Sequence, residues 1–289
     1  KTAMKKSILL AVAAALTLAA CNKDEEIVNN GSEEEGMTYT ADDLKPGDYF
    51  YRTESGEWAF SDGGLRRVYP DGTMEWAAKT KSQRDDSKGI CIGIVFAVGQ
   101  SVYDKSDYSA TGINQKQCHG YVVALQDATD GYCMWGKYGV ELGCCPKNDD
   151  GKAKDNWKNP DIDWSGYDYT RKIITQAGGE ESLNADKQNG YPATYYAVVN
   201  YENSVAAPTN SSGWFLPSIG QLWQIYQLHN NLANTDAGGS GLTSWDYWSS
   251  SECYDYPSYY ALSIAVWNGG VRRWDKRDNW SIVRAVLAF

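Results

Sequence analysis

The residues able to do covalent or metal chemistry are few. Besides Cys21 the chain holds Cys91, Cys118, Cys133, Cys144, Cys145 and Cys253, and its histidines are His119 and His229. A thiol nucleophile needs a lowered pKa and a neighbouring base, and no motif around the adjacent pair Cys144-Cys145 supplies them. The chain has no CxxC spacing for a structural zinc site and no Ser-His-Asp arrangement. General-base work would fall to carboxylates, among which no pair rises above the loop background. The even six cysteines could form up to three disulfides in an oxidising compartment, with Cys144 and Cys145 taking different partners or staying reduced. The expectation is a protein that is not an enzyme and uses no cofactor and no metal.

Recognition chemistry is concentrated near the C-terminus. Ten of the 43 residues from Tyr247 to Phe289 are Tyr, Trp or Phe, against 13% of the whole chain, and Lys276 is the single lysine among them. Large rings mixed with Ser, Asn, Asp and Arg suit a contact surface, because rigid aromatics give area at low entropy cost and arginine adds planar donors. The bland alternative is the solvated sheet of a Tyr-rich extracellular domain. The net charge of −10, from 27 Lys+Arg against 37 Asp+Glu, speaks against a nucleic-acid partner, whose phosphates demand a basic face.

A folded region must position these side chains, and turn residues Lys45-Pro46-Gly47 mark its start. Asp48 to Tyr51 reads as a short strand with Trp58-Ala59-Phe60 as its hairpin partner, and the polar stretch 61–88 as a long loop or inserted hairpin. Cys91 to Val98 and Gly120 to Leu125 are continuous apolar runs, the pattern of strands buried on both faces. Helices are expected over Tyr169–Ala177, with Ile173 and Ile174 inward, over Tyr191–Tyr201, and after Ser218, where Gln221 completes a capping box. Leu222, Ile225, Tyr226, His229 and Leu232 recur at helical spacing along that last helix. The run from Asp236 to Gly241 stops it.

Past Tyr247 the pattern becomes strand. Leu262, Ile264 and Val266 share one face, Ala261, Ser263, Ala265 and Trp267 the other, and Asn268-Gly269 is a strong hairpin signal. The nearly all-apolar Ile282 to Phe289, interrupted by Arg284, reads as one central strand.

The first 21 residues read as an address, with Met4 as the natural start. Lys5-Lys6 precede an apolar run, Ile8 to Leu18, too short to span a bilayer comfortably. The following Leu18-Ala19-Ala20-Cys21 resembles the lipobox of bacterial lipoproteins, which implies lipidation at Cys21. Asn22-Lys23-Asp24-Glu25-Glu26 resembles the export signal of surface lipoproteins in some Gram-negative gut anaerobes, implying an outer-membrane lipoprotein exposed at the cell surface. Residues 22–43, with eight acids against Lys23, read as a solvated tether, leaving 44–289 as a single domain.

The chain also resembles a domain family over roughly Lys45 to Phe289. The residues that carry the likeness are Gly213-Trp214-Phe215-Leu216-Pro217-Ser218 with its helix, Tyr247-Trp248-Ser249-Ser250-Ser251-Glu252, Asn268-Gly269, and Val283-Arg284-Ala285-Val286. Together they resemble the Lcl C-terminal-like domains, which implies an α+β C-type-lectin-like fold related to the formylglycine-generating-enzyme scaffold. The ending SIVRAVLAF further resembles the variable proteins of diversity-generating retroelements, although Arg284-Ala285 stands where that family would have Arg-Pro.

That likeness implies a fixed frame of Tyr247, Trp248, Ser249, Ser250, Glu252, Gly269, Val283, Arg284 and Val286. It implies rewritten contacts at Tyr254, Tyr256, Ser258, Tyr259, Ser263, Arg273, Trp274, Asp275, Arg277, Asp278, Asn279 and Trp280, with Cys253 and Ala265 as further candidates. The loops 253–259 and 273–280 would then form one surface for a protein or glycan on another cell, a phage or a host. Alternatives are a fimbrial or cell-wall adhesin or structural lipoprotein, and calcium-free sugar stacking on Trp267, Trp274 or Trp280. Trp245-Asp246 and Trp274-Asp275 are only fragments of a calcium-lectin motif.

Overall fold

Alternating side chains decide how the main sheet is covered. The computed structural model describes residues 43–70, 73–76, 84–186, 190–232, 241–243 and 245–289, with backbone alone at 229–232. The leader, Cys21, nearly all of the tether and residues 236–240 of the loop expected after the last helix lie outside the described residues, as does the side chain of His229. The strands are β1 (Tyr49–Arg52), β2 (Trp58–Ser61), β3 (Leu65–Val68), β4 (Met74–Trp76), β5 (Ile90–Val98), β6 (Gly120–Ala124), β7 (Trp214–Phe215), β8 (Asp246–Glu252), β9 (Tyr260–Ala265), β10 (Gly270–Asp275), β11 (Ser281–Ile282) and β12 (Val286–Ala288). A six-stranded antiparallel sheet runs β2-β1-β5-β6-β12-β7, and a four-stranded sheet runs β10-β9-β8-β11 with β11 parallel to β8. The β3-β4 pair is the inserted hairpin.

Helices α1 (Gly166–Ala177) and α4 (Ile219–Leu232) flank these sheets, with the short α2 (Pro192–Tyr195) and α3 (Tyr201–Ser204) between them. The fold is therefore α+β. On one face of the large sheet Phe50, Ile92, Val95, Val122 and Leu287 pack with Ile173 and Ile174 of α1. On the other, Tyr51, Ile94, Phe96, Val123 and Val286 pack with Leu222, Ile225 and Leu228 of α4. Two covered faces are why β5 and β6 read as unbroken apolar runs.

The expected helix over Tyr191–Tyr201 is present but interrupted. A π-helical turn, Tyr196–Asn200, separates α2 from α3 and leaves Tyr195 and Val199 only half-buried beside buried Val198. The capping box at α4 forms in both directions: the Ser218 amide donates to Gln221 Oε1 at 2.9 Å and the Gln221 amide to Ser218 Oγ at 3.4 Å. Ser218 Oγ also donates to the Asp163 carbonyl at 2.7 Å. Replacing Ser218 with Ala removes both roles and lowers stability by about 1–2 kcal/mol, measurable as a shifted urea midpoint at unchanged slope.

The closing apolar run is not one strand. Ser281–Ile282 joins the four-stranded sheet, Val286–Ala288 lies between β6 and β7, and the chain changes sheet at Arg284. The Arg284 side chain is 2% exposed, pairing with Asp127 at 2.7 Å and donating to the carbonyls of Ala124 and Gly241 at 3.1 Å. A buried guanidinium needs partners on every side, and these partners lie where the chain leaves one sheet for the other.

Candidate binding surface

Apart from half-buried Gly269 at the hairpin turn, the frame residues implied by the likeness are core. Tyr247, Trp248, Ser249, Ser250 and Glu252 of β8 are 0% exposed, and Val283 and Val286 likewise. The indoles of Trp248 and Trp135 donate to the carbonyls of Cys133 and Ser249 at 2.8 and 2.7 Å, tying β8 to the segment at 133–135. On this frame β9 and β10 form the expected hairpin, closed at Asn268-Gly269 with Gly269 at φ +70°, where a side chain would also meet the Tyr226 ring.

Burial corrects three candidates, Ser263 and Ala265 on β9, which is covered on both sides, and Cys253 just after β8. Ser263, Ala265 and Cys253 are all 0% exposed, so none can touch a ligand. The strict inside-outside alternation fails because β9 lies between β8 and β10 and has the hydrophobic core on one side and the Trp248 layer on the other. Cys253 donates its S–H to Asp255 Oδ1 at 3.0 Å.

The exposed candidates divide into clusters built alike, each an arginine held between a carboxylate and aromatic rings. Arg272 lies 5.2 and 5.8 Å from the Trp267 and Trp274 rings and 3.6 Å from Asp246, which also accepts from the Trp274 indole at 2.9 Å. Arg273 lies over Trp157 at 4.4 Å and near Tyr260 and Tyr256 at 5.4 and 5.9 Å, paired with Asp255 at 2.8 Å. Arg277 lies 3.6 Å over Tyr138, which meets Tyr259 at 5.0 Å, and forks onto Asp275 through bonds of 2.9 and 2.8 Å.

One continuous surface was expected, but adjacent strand residues face opposite ways. Arg272 and Trp274 therefore stand on one side of β10 and Arg273 on the other, and the loop 253–259 reaches only the Arg273 and Arg277 clusters. Tyr256, Tyr259 and Trp280 are 52%, 43% and 62% exposed. Asn279 is exposed, Tyr254, Ser258, Asp275 and Asp278 are half-buried, and Trp274 is half-buried against the core. Asp278 accepts from the Asp275 amide at 3.1 Å, and the Trp157 indole donates to the Val271 carbonyl at 3.1 Å, so this sheet edge is partly capped.

Sequence reasoning missed Tyr138, Trp157 and Arg272, together with Trp245 and Tyr132, whose rings meet at 5.0 Å. Arg272 was within reach, since any strand carrying Arg273 and Trp274 outward must divide them between two sides. Tyr138 and Trp157 belong to a distant stretch with no local signal.

The disulfides that the even six cysteines could form are not made among the described residues. All six cysteines in the described residues are free and buried. Burial pushes the thiols of Cys118, Cys133 and Cys253 up to about 12 and Cys91 to about 11, and raises those of Cys144 and Cys145 as well. Among the described residues no group of three or more His, Cys, Asp or Glu could hold a metal, and no helix is long and apolar enough to cross a membrane.

Behind the surface Asp163 is fully buried, accepting from Asn156 Nδ2 at 2.8 Å, and desolvation raises its carboxyl to about 6. A raised acid stabilises the fold below its unfolded pKa of about 3.9 and loses that contribution as pH rises through the folded value. Between pH 4 and 7 the stability of the wild type should fall relative to Asp163→Asn by up to about 3 kcal/mol, which paired urea titrations across that window would measure.

No family model matches the chain, and no curated protein matches it. Among solved structures it is similar to a fimbrial protein from Bacteroides ovatus ATCC 8483, with a TM-score of 0.53 and 18% sequence identity over 85% of this chain. The chain spans about half the length of that protein, 49%. At that identity the likeness shows a shared fold.

Proposed function

We propose that this protein is a surface-displayed lipoprotein adhesin. It binds a ligand on another cell, a phage or a host through the aromatic and arginine surface at its C-terminal hairpin, carried on a C-type-lectin-like scaffold. The observation that carries this reading is the threefold repetition of one device, an arginine fixed by a carboxylate and an aromatic ring, at the margin of the buried strand β8. Side chains already held in place lose little entropy on binding, so such a surface is preorganised for contact. The fimbrial neighbour supports an adhesive or assembly role, and the lipobox with its acidic tether supports display at the outer membrane. High thiol pKa values support a non-catalytic role, since the nucleophile of a thiol enzyme is the thiolate.

Joint replacement of Arg273, Arg277 and Trp280 by Ala should abolish capture of ligand by the full chain while each change costs only about 0.5 kcal/mol of stability. A large drop in melting temperature would instead return these side chains to the core. Trp274 is left out because its ring is part of the packing. Protease treatment of intact cells should release the domain, and full protection would place it in the periplasm.

A second reading, a retroelement variable protein, is favoured by the placement of most implied contacts outside the buried frame. Lys276 makes that reading sharply testable. Every lysine codon begins with paired adenines, so adenine-directed rewriting of 273–280 would also strike Lys276, which is 0% exposed and ion-paired. The reading requires a near-copy of the codons for 247–289 beside a reverse-transcriptase gene, and absence of both sinks it.

A further inference from the structure

Three stretches of the chain, 135–142, 252–259 and 275–277, meet around Lys276. Lys276 Nζ lies 2.6 Å from Glu252 Oε1 with both side chains 0% exposed, donates to the Val140 carbonyl at 2.7 Å, and sits 4.5 Å over the Trp135 ring. Its backbone joins the same segments: the amide donates to the Tyr259 carbonyl at 3.0 Å, and the carbonyl accepts from the amides of Trp135 and Gly136 at 3.1 and 3.3 Å. The Glu252 carboxylate in turn accepts from the amides of Leu142 and Cys144, each at 3.0 Å. Burial lowers the Lys276 pKa, and Glu252 opposes that shift.

The cluster that this network adjoins is drawn from the same three stretches. Tyr138 comes from one segment, Tyr259 from the second and Arg277 from the third, and Gly139 donates to the Ser258 carbonyl at 2.8 Å between the first two. We infer that Lys276 is the positioning residue of the proposed binding surface: through its buried ammonium, which ties Val140 and Trp135 to Glu252, and its backbone amide, which binds the Tyr259 carbonyl, it holds the 135–142 segment, the 256–259 loop and the 275–277 turn together, so that Tyr138, Tyr259 and Arg277 stand as one rigid contact. The inference rests on the adhesin reading for its purpose but not for its geometry. A contact surface drawn from three segments without such a pin would lose the preorganisation that gives it affinity.

The test separates holding the fold from holding the cluster. Lys276→Met alone leaves Glu252 buried and unpaired and lowers the melting temperature. Lys276→Met with Glu252→Leu removes both charges, a kind of replacement that often restores stability. In that double variant of the full chain, exchange of the amides of Gly139 and of the residue at position 276 should rise about tenfold or more despite the recovered melting temperature. Wild-type protection at both amides would overturn the proposal and leave the pair as ordinary core.

Should the double variant fail to fold, exchange in the wild type decides. One common protection factor for Gly139, Lys276 and Leu142 supports a single locked unit, and independent rates overturn it. Capture of a panel of whole bacterial cells, phage and immobilised glycans by the same double variant tests the adhesin reading separately. Loosened amides with undiminished capture would overturn that reading while leaving the positioning role in place.

Discussion

Lys276→Met, with Glu252 retained, should lower the free energy of unfolding by about 3–5 kcal/mol, among the largest losses expected from any single change in this chain. The size follows from what remains. Glu252 would keep the amide donors of Leu142 and Cys144 but lose the Lys276 ammonium, at a side chain with 0% exposure. A carboxylate in that position must either stay charged without a counter-ion or take up a proton, and both cost free energy. Urea unfolding at pH 7 reads the loss directly, and a change below about 1 kcal/mol would show that water reaches the pair.

Arg284→Met should cost a similar amount, about 3–5 kcal/mol, through a different geometry. Arg284 binds Asp127 and the carbonyls of Ala124 and Gly241, so it pins the point where the last segment leaves the four-stranded sheet for the six-stranded one. Burial raises the Asp127 carboxyl and Arg284 opposes that rise, so removing the guanidinium leaves Asp127 to be protonated nearer neutral pH. The stability difference between wild type and Arg284→Met should accordingly shrink as the pH is lowered. A difference that does not change between pH 4 and 7 would show that the Asp127 pair contributes little.

These two residues also mark how far the sequence could be read. Strands with regular patterning were legible: the β1-β2 hairpin, the doubly covered β5 and β6, the capped α4 and the hairpin at Asn268-Gly269 all stand where composition and periodicity place them. Arg284 was visible as an interruption of an apolar strand, but its partner Asp127 is 157 residues away, and nothing local shows that the chain divides there between two sheets. Lys276 was visible as the lone lysine of an aromatic stretch. Its burial depends on Glu252, Val140 and Trp135, which no pattern links to it.

The candidate surface follows the same rule. Tyr256, Tyr259, Arg277 and Trp280 were legible because loops around a hairpin expose their side chains. Ser263 was misplaced because alternation predicts exposure only for a sheet with one free face, and β9 has none. Tyr138 and Trp157 enter from a long stretch between β6 and α1 that carries no periodic signal of its own. The surface is thus assembled half from the hairpin and half from a segment legible only in three dimensions.

As a contact surface, the arginine and aromatic clusters beside β10 must bind a partner, which solvated decoration would not. The most direct test is capture by the full-length chain of whole cells, phage and immobilised glycans, compared with its Arg273→Ala, Arg277→Ala, Trp280→Ala variant at matched melting temperature. The wild type should capture at least one member of the panel, and the variant should lose about tenfold or more of that capture. Equal capture by the two proteins would contradict it.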